Sequence, residues 1–312
     1  MRTTWIICLA FLIAFPAAAQ ISDFCAAMPR AENARFERLD TSNDWFDVYE
    51  IVPGVYSIHE PHQWQEVISY LIVGDDRAVI FDTGNGIGDM RAIVDSLTDL
   101  PVVVVNSHAH FDHVGGNHQF DTIVSIDTAY GREHANGLAN EDVSIEVSPE
   151  ALCRELPGET TQDTHVIRPY ADKVTWVEDG HTIDIGDHEL EIRHMPGHSP
   201  GSVVLLDRER GYLWSGDTYY PGPIWLFFPG TDFAAYRKTI RHLAELAPDF
   251  KHVFPAHNVL VDEPGVLPRA RDAFEQIVGG ELQGEYDAEL DTFLYEFDGF
   301  AFLMGADHPT DW

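Results

Sequence analysis

A chain of 312 residues, 45% hydrophobic and 23% charged, is long enough for one large domain or two ordinary ones, and this balance excludes a disordered, fibrous or collagen-like polymer. Nineteen Lys and Arg against 52 Asp and Glu give a formal charge of −33, which repels phosphate backbones and argues against a nucleic-acid partner.

The N-terminus reads as a leader. Arg2 is followed by the apolar run Trp5–Phe15 and the small residues Ala17, Ala18 and Ala19, the pattern of a secretory signal peptide cut after Ala19. The run is eleven residues, short of the ~20 that a spanning helix needs, so no stable membrane anchor is expected. The mature chain, 20–312, is expected to be periplasmic or secreted. Cys8 leaves with the leader. Cys25 and Cys153 remain, and an oxidising compartment allows them to pair, although sequence alone leaves the pairing open.

Residues 20–50 read as an irregular arm. Strands are predicted at Val55–Ile58, Val67–Val73 and Ala78–Phe81. A helix capped by Asp89 runs to Leu97, and Pro101–Val105 is a buried strand by its β-branched composition. The region 130–180 is polar and aperiodic, an insertion with short elements. Strands resume at Thr182–Ile185, Leu190–His194, Val203–Leu206 and Tyr212–Trp214. A helix over Asp232–Leu246 carries an apolar stripe of Phe233, Tyr236, Ile240, Leu243 and Leu246. His252–Phe254 is a short strand and Leu267–Val278 a helix, followed by an acidic tail with an aromatic patch around Phe293–Phe302. No low-complexity linker divides these elements, so 20–312 is expected to be a single domain with an N-terminal arm and an acidic C-terminal extension.

The strand Pro101–Val105 runs into Asn106-Ser107-His108-Ala109-His110-Phe111-Asp112-His113, four potential metal ligands within six residues. A loop leaving a buried strand projects such groups from a rigid base. Asp112 and His113 are adjacent and must diverge, so the spacing suggests two metals. His198, in a Gly- and Pro-rich loop, Asp217 and His257 each follow another predicted strand. Phe81-Asp82-Thr83-Gly84 and Gly216-Asp217-Thr218-Tyr219 are parallel strand-to-acid exits. His118, His134, His165, His181 and His188 lie outside these motifs and read as structural or surface histidines. No G-x-S-x-G elbow occurs.

With Asp82, the His108–His113 cluster, His198, Asp217 and His257 in this order, the sequence resembles the metallo-β-lactamase superfamily from about Val55 to Asn258. The resemblance implies an α+β fold, the four-layer αβ/βα sandwich, with the metal site at one edge of the two sheets. It implies one zinc on His108, His110 and His198, a second on Asp112, His113 and His257, and Asp217 bridging them. Asp82 is implied as the group that orients ligand histidines. Five imidazoles and two carboxylates suit Zn2+, and a water bridging two zinc ions becomes hydroxide near neutral pH.

The superfamily hosts several reactions, so fold does not choose one. In its dinuclear lactonases a Tyr three residues after the bridging Asp points at the substrate oxygen, and Tyr220 matches that offset. Asp112, Asp82 and Tyr220 are therefore the expected catalytic participants. Phe111, Trp225, Phe227 and Phe228 are candidate walls of an apolar pocket, and His62-Gln63-Trp64 a candidate cover. The expected activity is a zinc-dependent hydrolase whose bridging hydroxide attacks the carbonyl of a small neutral ester or lactone. The alternatives are a β-lactamase, whose zinc sites generally carry Cys or Ser where Asp217 stands; a glyoxalase II-like thioesterase; a phosphoester or sulfate-ester hydrolase; a mononuclear-iron persulfide dioxygenase; and a non-catalytic zinc-binding protein.

Overall fold

The structure, a computed structural model, describes residues 24–307. The leader expected at 1–19 lies outside the described residues.

Eight strands pair in chain order in the first sheet: β1 (Arg38–Leu39), β2 (Asp47–Val52), β3 (Val55–His59), β4 (Ile68–Val73), β5 (Ala78–Phe81), β6 (Val102–Val105), β7 (Ile123–Ile126) and β8 (Val174–Val177). Pairing is antiparallel through β4–β5 and parallel from β5 to β8. The parallel half includes Ala-Val-Ile-Phe and Val-Val-Val-Val, the near-continuous apolar runs of strands covered on both faces. The second sheet contains β9 (Thr182–Asp184), β10 (Glu189–His194), β11 (Val203–Asp207), β12 (Tyr212–Gly216) and β14 (His252–Pro255), in the order β14-β12-β11-β10-β9. A third, smaller sheet joins β13 (Pro223–Leu226) to β17 (Phe300–Gly305), β16 (Thr292–Phe297) and β15 (Glu285–Asp287).

Between the two large sheets Tyr70, Phe81 and Val105 meet Leu205, Trp214 and Phe254. On the outer face of the first sheet, the helix Met90–Leu97 lays Ile93 and Val94 against Leu71, Ile80 and Val104. Its cap is Asp89, whose carboxylate accepts from the Ala92 amide at 3.0 Å. On the outer face of the second sheet, the helices Phe233–Leu246 and Val266–Val278 bring Tyr236, Leu243 and Phe274 onto Val204, Leu213 and Val253. Helix, sheet, sheet and helix stack as the expected αβ/βα sandwich.

Three expectations need correction. The arm at 20–50 is not irregular throughout, because β1 and β2 extend the first sheet from it. The insertion at 130–180 ends in β8, which pairs in parallel with β7. The C-terminal segment is less an appendage than part of the second core, where Tyr295, Phe300 and Phe302 pack against Tyr236 and Phe274. Among the described residues no helix is long and apolar enough to cross a membrane.

Cys25 and Cys153 form a disulfide with their Cα atoms 5.4 Å apart, tying the arm to the insertion across 128 residues of chain. Closing so long a loop removes much of the unfolded chain's entropy. The paired substitutions Cys25→Ala and Cys153→Ala are expected to lower unfolding stability by about 2–4 kcal/mol, read by urea denaturation. An unchanged midpoint would mean that packing alone holds the arm.

Candidate metal centre

All seven residues expected as metal ligands converge at one edge of the sandwich, where β5, β6, β10, β12 and β14 run out into loops. The loop after β6 carries His108 and His110 and enters the short helix Phe111–Val114, which points Asp112 and His113 inward. Asp217 leaves the end of β12 at Gly216, whose φ of +52° lies in the left-handed region. A Cβ there would lie 2.5 Å from Ser107 Cβ, so only glycine lets the Asp217 loop approach the histidine loop this closely.

The side chains fall into two groups. His108 Nε2, His110 Nδ1 and His198 Nε2 lie 2.9–3.2 Å from one another. Asp112, His113 and His257 form the second group, with His113 Nε2 3.2 Å and His257 Nε2 3.7 Å from Asp112 Oδ2. Asp217 stands between them. Its Oδ2 is 3.5 Å from His198 Nε2 and 4.0 Å from His108 Nε2, and its Oδ1 is 3.1 Å from His257 Nε2 and 3.4 Å from His113 Nε2. One carboxylate oxygen thus faces each group.

Hydrogen bonds behind the rings fix which nitrogen faces inward. His198 Nδ1 donates to the Trp225 carbonyl at 2.8 Å and His257 Nδ1 to the Gln65 carbonyl at 2.7 Å, so in the neutral ring each Nε2 presents a lone pair. His113 Nδ1 is 2.9 Å from Asp82 Oδ2, and Asp82 Oδ1 accepts from the Ser107 amide at 2.6 Å. Asp82 therefore touches the metal group only through the back of His113, as an orienting residue would. Its φ of +66° is unusual for a residue with a side chain.

Electrostatics divide the two groups. Burial, reinforced by the neighbouring His198, pushes His110 down to about 3, and burial together with His113 and His110 pushes His108 well below the usual range. Their lone pairs are free over the ordinary pH range. Burial opposes charge on His113, but Asp112, Asp217 and Asp82 outweigh it and raise that imidazole well above its usual value. Burial likewise disfavours charge on Asp217, but His257 and His113 hold its carboxyl well below the carboxylate range. The second group thus attracts positive charge strongly.

These residues fit a pair of metal ions. Three unprotonated nitrogens about 3 Å apart have the edge length of ligands at roughly 2.0–2.1 Å around one zinc. His113 Nε2 and Asp217 Oδ1 are buried, and the groups that face them, Asp112 Oδ2 at 3.2 Å and His257 Nε2 at 3.1 Å, are themselves candidate ligands of the second group. Neutral imidazoles and carboxylates are also the donor types that zinc takes.

A cavity of about 530 Å³ opens over the two groups, walled by Phe24, Trp64, Phe111, Trp225 and Phe228. Trp64 and Trp225 pack at 5.2 Å, and Trp64 Nε1 donates to Glu146 Oε2 at 2.9 Å, fixing the indole. The expected wall residue Phe227 does not line the cavity. Of the expected cover only Trp64 does, since His62 turns away toward Trp45 and Arg154. His118, His134, His165, His181 and His188 join neither group.

Tyr220 lines the cavity and packs its ring on His257 at 4.7 Å. Its hydroxyl, however, donates to the Pro223 carbonyl at 2.6 Å and accepts from the Trp225 amide at 3.3 Å. The hydroxyl's one proton is committed, so the oxyanion role inferred from its offset would require that bond to break first. Tyr220→Phe is accordingly expected to change kcat by less than about threefold while costing about 1 kcal/mol of stability. A loss near 10²-fold at unchanged metal content would restore the hydroxyl to the chemistry.

Sequence reasoning missed Gln65, whose carbonyl orients His257 and whose Nε2 donates to Asp112 Oδ2 at 3.3 Å. Only its place beside Trp64 pointed toward it.

The family model described as the metallo-beta-lactamase superfamily matches residues 64–257. An acyl-coenzyme A thioesterase MBLAC2 of Bos taurus is 29% identical over 238 residues, covering 69% of this chain and 81% of that protein. A hydroxyacylglutathione hydrolase of Synechococcus is 26% identical over 142 residues, covering 45% of this chain and 44% of that protein. Among solved structures, an archaeal protein of the same superfamily from Sulfolobus tokodaii superposes with a TM-score of 0.53 at 20% identity, covering 75% of this chain and 90% of that one.

Proposed function

The chain belongs to the metallo-β-lactamase superfamily and is a metal-dependent hydrolase, and we propose that it uses two zinc ions to hydrolyse an ester or thioester of an apolar acyl group. The observation that carries this reading is Asp217, with one carboxylate oxygen toward each ligand group beneath an aromatic wall. His108, His110 and His198 would hold one ion, Asp112, His113 and His257 the other, and Asp217 would span both. Bound there, two zinc ions supply Lewis acidity and water activated near neutral pH.

The protein's own groups then divide the work. Asp82 and the carbonyls of Gln65 and Trp225 keep three imidazoles in register. Trp64, Trp225, Phe111 and Phe228 receive the acyl chain and exclude water from it. Asp112 lines the cavity and turns Oδ2 toward His113 and His257, where it would help hold the second ion, with Gln65 Nε2 donating to the same oxygen.

The relatives named as thioesterase and hydroxyacylglutathione hydrolase support carbonyl chemistry at this site. A polyanionic leaving group is disfavoured here. Arg30 is the one Arg or Lys among the described residues that line the cavity, and it is paired with Glu66 in a chain of formal charge −33. Export through the leader at 1–19 belongs to the same proposal. The Cys25–Cys153 disulfide supports it, because such bonds persist in oxidising compartments.

The test is a hydrolysis panel with the zinc-loaded chain: acyl-pantetheine, acyl-coenzyme A, lactones, a β-lactam and an alkyl sulfate. Turnover of acyl esters or thioesters is expected, with a lower KM for acyl-pantetheine than for acyl-coenzyme A. Turnover confined to the alkyl sulfate or the β-lactam would overturn the proposal.

A further inference from the structure

The arm that precedes the first sheet meets the loops that carry Gln65 and His257 through Arg30, which also lines the cavity, and Asn33. Arg30 Nε donates to Glu66 Oε2 at 2.6 Å and its Nη2 to Glu66 Oε1 at 2.5 Å, a two-pronged pair with a buried carboxylate. The same Nη2 donates to Asn258 Oδ1 at 2.9 Å. Three residues on, Asn33 Nδ2 donates to the Asn258 carbonyl at 3.2 Å, and Asn33 Oδ1 accepts from the Leu260 amide at 3.1 Å. Arg30 thus joins segments 36 and 228 residues away in the chain.

The two residues it joins are unusual and well placed. Glu66 has φ +50° and Asn258 φ +70°, both in the left-handed region. Asn tolerates that conformation, whereas Glu does so only when its surroundings impose it. Glu66 directly follows Gln65, whose carbonyl accepts from His257 Nδ1, and Asn258 directly follows His257 itself. The two strained residues therefore flank the two ends of the hydrogen bond that aims His257 at the second ligand group. Around them, Val67 bridges His257 and the Asn258 amide donates to the Glu66 carbonyl at 3.4 Å.

We propose that Arg30 is a positioning residue for the His257 half of the metal centre, clamping Glu66 and Asn258 so that the Gln65 carbonyl and the His257 ring stay in register. The inference rests on the two-metal reading above. Arg30 touches no proposed ligand. It acts through the backbone on either side, and the disulfide at Cys25 anchors the arm that carries it.

Zinc titration against a chromophoric chelator, with melting temperature followed in parallel, separates positioning from plain stability. The wild-type chain is expected to take up two equivalents. Arg30→Met is expected to keep the first and bind the second about 10–100-fold more weakly, the cost of losing a group that orients a ligand. It also leaves Glu66 buried without its cation, which lowers the melting temperature. Adding Glu66→Gln removes the orphaned charge. This double variant is expected to regain melting temperature and still bind the second equivalent weakly. Arg30→Lys, which keeps charge but loses the fork, is expected to fall between. Unchanged affinity for both equivalents in Arg30→Met, or full recovery of the second in the double variant, would overturn the clamp alone. A wild-type chain that takes up a single equivalent would overturn the two-metal reading and the clamp with it.

Discussion

Asp217→Ala is expected to lower zinc content at both positions and to reduce kcat/KM by on the order of 10³-fold or more, because it removes the one carboxylate that faces both ligand groups. No other side chain at the site is placed to substitute. The nearest carboxylate, Asp112, faces His113 and His257 on one side only. The fold should survive, since Gly216 and the pairing of β12 with β11 and β14 do not depend on the Asp217 side chain. Elemental analysis of the gel-filtered variant gives the metal content, and far-ultraviolet circular dichroism controls for folding. Two retained equivalents with normal turnover would remove Asp217 from its bridging place.

Asp82 is the second position where one side chain has a large expected effect. It is fully buried, it receives the Ser107 amide on one oxygen, and its other oxygen meets His113 Nδ1. Ser107 precedes His108, so Asp82 steadies the histidine loop at two points. Asp82→Ala is expected to weaken zinc binding by about 10–100-fold. It should also cost about 3 kcal/mol of stability, because a buried amide and a buried imidazole lose their acceptor. Asp82→Asn separates the two effects. Asn accepts the left-handed backbone and can still receive the Ser107 amide, so most of the stability should return. It offers His113 no carboxylate, so zinc affinity should stay depressed. Full affinity in Asp82→Asn would mean that orientation needs only a neutral acceptor.

The sequence made the site more legible than the fold. Five of the seven converging residues stand in loops that follow strands and Asp112 and His113 in the short helix just beyond, and the apolar runs of β5, β6 and β11 are recognisable by composition. β2, β7 and β8 were harder to read for different reasons. β2 lies in an arm rich in charge and turn residues, and reads Asp-Val-Tyr-Glu-Ile-Val. β7 and β8 have four residues each, too few for a period to register, and they are parallel neighbours whose partners lie far away in sequence. The third sheet showed only as an aromatic patch, because β13 begins at a proline and meets β17 from more than 70 residues away.

Tyr220 shows another limit of sequence. Its offset from Asp217 puts its ring beside His257, but the direction of the hydroxyl depends on the Pro223 and Trp225 backbone, which only the folded loop reveals. Arg30, Glu66 and Asn258 carry no motif at all. They meet only when the arm, the loop before β4 and the loop after β14 are brought together.

The two-metal account is tested most directly by anomalous diffraction from crystals of the zinc-loaded chain. It predicts two peaks about 3.5–4 Å apart, one among His108 Nε2, His110 Nδ1 and His198 Nε2, the other among Asp112, His113 and His257, with an oxygen of Asp217 on each. A single peak, or a second peak away from Asp112, His113 and His257, would contradict it.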